Sequence, residues 1–146
     1  MNQAKPLKQP ISVLVVLHDG TGQVLLLERA DNAGFWQSVT GSIETGESLS
    51  ETALREVWEE TGIRLNAEDL NDWQESTVYE IYPHWRWRYP EGVTHNTEHI
   101  FSAVIAKSSK ITLAEHVSYR WLPAEEAAEL VFSPSNRLAI LNLAKH

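Results

Sequence analysis

The stretch from Gly41 to Ile63, GSIETGESLSETALREVWEETGI, constrains this chain more than any other. Its middle carries helical periodicity. Ser48 or Ser50 can cap the helix start, and Glu51 stands three positions after Ser48, the pairing of a capping box. Gly62 supplies the stop, because glycine accepts the left-handed backbone that ends a helix. At about 100° per residue, Ala53, Leu54, Val57 and Trp58 gather on one side and Thr52, Glu56, Glu59 and Glu60 on the other.

The acidic side is the informative one. Glu56, Glu59 and Glu60 stand at i, i+3 and i+4, so their carboxylates crowd one patch. Like charges at that spacing oppose the helix by about 0.2–0.5 kcal/mol per pair, and a divalent cation reverses the sign. Carboxylate oxygens suit a hard ion such as magnesium, which binds through a few carboxylates together with substrate phosphates. Arg55 lies within reach of Glu51 and Glu59 and can hold a glutamate by a two-pronged hydrogen bond. Glu47 precedes the helix and can join the patch, while Gly41 and Gly46 let the loop turn tightly. An isolated acidic face is ordinarily just solvated. Here the full pattern decides otherwise.

That pattern is glycine, five residues, Glu47, seven residues, Arg55-Glu56-Val57-Trp58-Glu59-Glu60, one residue, then Gly62-Ile63. It matches the Nudix box at every defined position, and a chance match in a chain this long is on the order of one in tens of millions. The sequence therefore resembles the Nudix hydrolase superfamily. The resemblance implies an α+β fold, an α/β/α sandwich with a mixed sheet and a central catalytic helix. It also implies metal ions on Glu56, Glu59 and Glu60, with Arg55 as orienting partner. Glu56 and Glu59 are the candidate catalytic carboxylates, and the identity of the general base varies among such families. A further acid outside the box often contributes, and Glu115 is the candidate. Magnesium is the expected cofactor, with manganese as a substitute.

The remaining composition sets bounds. The 146 residues suit one domain, taken as 1–146. A net charge of −8 argues against a broad nucleic-acid surface but not against a phosphorylated small molecule, since bound metal supplies positive charge locally. With no cysteine, disulfides and thiolate chemistry are excluded. The start, MNQAKPLKQP, shows no apolar signal region, and the run Val13 to Leu17 is too short to span a bilayer. The expectation is a soluble cytoplasmic monomer or weak homodimer. The six histidines show no zinc-site spacing.

Along the chain, residues 1 to 10 read as a polar arm whose Lys5 and Lys8 are either solvated, as terminal lysines more often are, or reach a phosphate. Ile11–His18 and Val24–Glu28 read as a hairpin around Asp19-Gly20-Thr21-Gly22. Arg64–Asn71 reads as a short strand with a loop. Trp73–Arg88 reads as a long strand, because Trp85 and Trp87 alternate with Arg86 and Arg88, either to stack on a ring and pair with phosphate or as an exposed strand with charged outward residues. Thr97–Ala106 and Val117–Leu122 are further strands. A helix begins at Pro123, and a last one runs from Asn136 to about Leu143 with Leu138, Ile140 and Leu141 available for packing.

Features outside the box bear on the substrate. Phe35 to Ser42, Gly92-Val93-Thr94 with Asn96-Thr97-Glu98, Glu115-His116 with Tyr119 and Trp121, and Ser135-Asn136-Arg137 with Ala139-Ile140 are similar to the bacterial dihydroneopterin triphosphate pyrophosphatases. This resemblance implies hydrolysis of dihydroneopterin triphosphate to the monophosphate and pyrophosphate, a folate-pathway step, with side activity on nucleoside triphosphates. Trp36 is either a core residue or a wall against a flat substrate ring. Asn136 either reads that ring or caps a helix. Arg29 is either a phosphate partner or a surface residue. Gly41 belongs to the substrate loop. Two rivals stand beside this reading: a pyrophosphatase of dNTPs or oxidised dNTPs, and a non-catalytic binding module, which would have no need of an intact acidic trio.

Overall fold

A computed structural model describes residues 7–146. Lys5 lies outside the described residues. Strands β1 (Ile11–His18), β2 (Gln23–Arg29), β3 (Trp36–Gln37) and β4 (Val39–Ser42) precede helix α1 (Leu49–Thr61). Strands β5 (Asn71–Glu80), β6 (His95–Val104) and β7 (His116–Pro123) follow, then helices α2 (Ala124–Leu130) and α3 (Pro134–Leu141).

The seven strands form one mixed sheet in the order β3-β2-β1-β6-β5, with β4 also pairing β1 and β7 pairing β2. β1 is its centre. Parallel β6 runs along one edge from Ile11↔Thr97 to His18↔Val104. The other edge is shared: antiparallel β4 covers Ser12 to Val15, and β2 meets β1 at His18↔Val24. A strand buried on both faces should read as continuous apolar sequence, and β1 does so in VLVVL.

Its alternating residues feed two cores. Val13, Val15 and Leu17 pack with Leu25, Leu27, Phe101 and the α1 residues Ala53 and Val57. Leu14 and Val16 pack on the opposite face with Leu26, Ile100, Val131 and Ile140, beneath α2 and α3. The result is the expected α/β/α sandwich. Among the described residues no helix is long and apolar enough to cross a membrane.

The sequence reading needs correction at four places. Trp58 is 45% exposed, under the Arg64 guanidinium, whereas Thr52 and Glu60 are buried. α1 thus turns part of its acidic side toward the sheet. The segment Pro83–Arg88 is a 3-10 helix, not strand. Pro83 starts it, and its three-residue period puts Trp85 and Arg88 on one side and leaves Trp87 74% exposed. Residues Arg64 to Leu70 form no strand; Ala67–Asp69 is a 3-10 turn. In α3, Leu138 and Leu141 are exposed, and Ala139 and Ile140 carry the packing.

α1 itself ends where its sequence says. Ser48 and Glu51 form the capping box, and Gly62 closes the helix at φ 76° with its N–H donating to the Trp58 carbonyl. A Cβ on Gly62 would also stand 3.1 Å from Thr112 Cβ. Gly62→Ala should therefore cost about 1–2 kcal/mol, seen as a lower urea midpoint at unchanged slope.

Candidate active site

Arg55 gathers the acidic residues. Its Nε and Nη2 donate to the two oxygens of Glu47 at 2.7 and 2.9 Å. Nη1 donates to Glu56 Oε1 at 2.6 Å and to Glu59 Oε2 at 3.2 Å, and lies 3.4 Å from Glu44 Oε1. Nη2 also donates to the Ser42 carbonyl at 3.0 Å, which fixes the guanidinium against the end of β4. The two-pronged partner is Glu47 from the loop, not Glu51, whose carboxylate accepts from the Ser48 N–H in the cap. Glu47 accepts further from the Thr52 hydroxyl and the Glu44 N–H. The Arg55 hydrogen bonds, foremost, hold its carboxyl down to about 2. Glu47 is thus a fixed anion, and Arg55 a fixed cation.

Glu56 and Glu60 are the opposite case. Burial pushes both carboxyls up, and Glu60 more strongly, through its hydrogen bond to Glu56 and the negative charge beside it. The Thr40 N–H donates to Glu60 and only partly offsets this. Glu56 lies directly on the backbone of Gly41: a Cβ there would fall 2.0 Å from the Glu56 carboxyl carbon. This close approach is the physical reason for glycine at position 41. Glu60 Oε1 is buried without a hydrogen-bond partner among the described residues, 3.7 Å from His116 Nε2. Burial keeps His116 toward its neutral form, with Arg29 adding to the effect, so it offers Glu60 little counter-charge.

A divalent cation fits this chemistry. An orphaned carboxylate oxygen, two neighbouring buried carboxyls and the charge of Glu115 nearby make a hard-oxygen donor set that lacks positive charge. Among the described residues no three such side chains already converge on one point. Arg55 Nη1 holds one oxygen each of Glu56 and Glu59.

Across β4 lies a cavity of about 320 Å³. Thr40, Gly41 and Ser42 border it, so this four-residue strand separates the cavity from the acidic patch. Ser12, Asn96 and Glu98 line it from the sheet, and Trp85 and Phe132 from its aromatic side, their rings 6.1 Å apart and edge to face. Lys8 and Arg88 also line it. Burial lowers the Lys8 pKa, with Arg88 contributing, while Glu56 opposes the shift.

The sequence-derived candidates divide accordingly. Arg55, Glu56, Glu59 and Glu60 come together, and Glu115 is exposed close by. Gly41 joins patch and cavity. Asn136 borders the cavity, but its amide clasps Ser38, accepting from the Ser38 N–H at 2.8 Å and donating to its hydroxyl at 2.9 Å. Trp36 packs against the core beside α2 and α3 instead of lining the cavity, and Trp85 takes the wall position. Arg29 is also outside the cavity's lining: Asp31 holds its guanidinium at 2.7 and 2.8 Å, and it stacks 4.9 Å from the Trp85 ring. Sequence reading named Asn96 and Glu98 only as part of a substrate-related segment, gave them no site role, and missed Tyr79 as a cavity residue. The available signal was two polar side chains at inward positions of a strand whose next inward residue is Ile100.

Two effects follow for Glu60. A carboxyl raised on folding favours the folded state below its unfolded pKa, and that support is lost as pH rises through the folded value. Metal-free Glu60→Gln should therefore be more thermostable than wild type at pH 8. Its turnover should fall about 10²–10⁴-fold, and added divalent metal should raise its melting temperature less than it raises that of wild type. Calorimetry with and without metal reads the two stability effects, and pyrophosphate release reads the turnover.

The comparisons agree with this geometry. Residues 8–143 match the NUDIX domain model. The dihydroneopterin triphosphate diphosphatase of Escherichia coli K12 is 47% identical over 139 residues, covering 93% of each chain. The enzyme of that name from Haemophilus influenzae is 42% identical over 132 residues, covering 88% of this chain and 84% of its own. The solved structure of the E. coli dihydroneopterin triphosphate pyrophosphohydrolase superposes with a TM-score of 0.87, covering 93% of this chain and 95% of that one. Motif, sandwich and capped acidic helix coincide with these matches over nearly the whole sequence: the chain belongs to the Nudix family.

Proposed function

We propose that this chain hydrolyses dihydroneopterin triphosphate to dihydroneopterin monophosphate and pyrophosphate, with nucleoside triphosphates as side substrates. One observation carries the reading: β4 has an aromatic-walled cavity on one side and Arg55 with its glutamates on the other. A flat bicyclic ring occupies the cavity, and the triphosphate crosses β4 to the acidic patch. Lys8 and Arg88 border this route and supply positive charge along it. The names of the two curated relatives point to the same substrate.

Glu56, Glu59 and Glu60, with Glu115, would hold magnesium or manganese. Divalent metal there would neutralise diphosphate oxygens and ease deprotonation of water. Arg55 keeps Glu56 and Glu59 oriented through its charge-assisted hydrogen bonds. Glu59 is half-exposed, with one oxygen on Arg55 and the other, without a hydrogen bond among the described residues, placed to accept the proton of the attacking water. Glu47 locks Arg55 from behind. The unit is one domain over residues 1–146, acting in the cytoplasm as a monomer or weak homodimer.

The deciding experiment is pyrophosphate release from dihydroneopterin triphosphate and from a dNTP panel at equal low concentration. The pterin should lead by about tenfold or more in kcat/KM, a difference of ~1.4 kcal/mol in transition-state binding. Chelation should abolish release, and magnesium or manganese should restore it. A lead for any nucleotide would replace the pterin as substrate.

A further inference from the structure

Glu98 is a carboxyl where packing alone would favour a hydrocarbon. It stands on β6 between Ser12 of β1 and Thr77 of β5. One step further along each strand toward the core, the same sheet face carries Leu14 and Ile100. The face therefore changes from apolar to polar along one line, and the polar part is the cavity floor. Glu98 is 4% exposed. Its Oε1 accepts from the Ser135 hydroxyl at 2.8 Å, and no other hydrogen bond reaches the carboxyl among the described residues. No basic side chain pairs with it there either. Burial pushes the carboxyl up to about 7, against the weaker pull of Ser135. A buried acid without a cation, aimed into a cavity, is costly unless something else supplies donors.

We propose that Glu98 reads the ring: its carboxylate accepts from the adjacent ring N–H and exocyclic NH₂ of a 2-amino-4-oxopyrimidine edge, the edge common to pterins and guanine. Such an edge places two donors side by side, which a carboxylate accepts one per oxygen. Oε1 has a lone pair left beside Ser135, and Oε2 is free. Adenine and cytosine present one amino group next to a ring acceptor, whose lone pair would face the carboxylate. The floor therefore selects by repulsion as well as attraction. Trp85 and Phe132 contribute apolar area that every flat ring can use and so do not discriminate. The proposal rests on the cavity's being the ring site of the proposed function and specifies the class of ring.

Three measurements test it. First, neopterin carries the edge without a triphosphate, so its binding by fluorescence titration is independent of hydrolysis. Glu98→Gln should weaken it about 10- to 100-fold, the range of one charge-assisted hydrogen bond. Unchanged binding overturns the proposal. Second, the KM of Glu98→Gln should rise for dGTP and for dihydroneopterin triphosphate and fall for dATP, because the amide removes the repulsion and offers the adenine ring acceptor a donor. An equal loss for dATP, reproduced by Ser135→Ala, would make Glu98 a support for α3 and overturn it. Third, wild type should prefer dGTP over dITP, which lacks the 2-amino group, by about tenfold. Equal rates for the two overturn the proposal without any variant having to fold. Should the preferred triphosphate prove to be something other than a pterin, the neopterin and dITP results still decide Glu98.

Discussion

The Arg55–Glu47 ion pair is the contact on which the site depends. Glu47 takes two prongs of the guanidinium, Ser42 takes a third contact, and only Nη1 is left for Glu56 and Glu59. A fork held on three sides has no freedom to rotate, so the carboxylates it touches inherit its position. The pair also ties the loop before α1 to the end of β4. Without it the acidic helix would be three like charges on a surface. With it, the charges have one defined relation to the strand beside them.

Around this fixed pair the protein maintains a local imbalance. Glu56 lies against Gly41 and beside Glu60, and the two carboxyls have less positive charge than their oxygens call for. The sandwich tolerates this because the two cores either side of β1 are apolar and continuous. Stability comes from the layers, and the site sits where the layers stop. The same is true of Glu98, where an otherwise apolar sheet face gives way to acid.

The sequence made α1 legible because its signals are local. Ser48, Glu51 and Gly62 act within a few residues of where they stand, and the helix obeys them. The sheet strands were legible from apolar runs for the same reason. What failed needed partners distant in sequence. Helical periodicity sorted α1 into apolar and acidic sides, but the sheet buries Glu60 and leaves Trp58 out, because a site needs polar groups inside. Arg55 found Glu47 eight residues away, a spacing no helix geometry supplies. The tryptophan–arginine alternation at 85–88 imitated a strand until Pro83 wound it into a 3-10 turn. Trp36 and Trp85 could not be told apart as cavity walls, since type alone does not say which aromatic faces the ring. Asn136 was seen, but its partner Ser38 lies 98 residues earlier.

β4 has a further consequence. It lines the cavity through Thr40, Gly41 and Ser42, and it meets the acids through Gly41, on which Glu56 lies, and through the Ser42 carbonyl, which Arg55 holds. Under the proposed binding mode one short strand therefore sets the spacing between the ring and the anhydride that is cut. The monophosphate product keeps the ring but has no anhydride, so it can occupy the cavity and gives the acids nothing to cut.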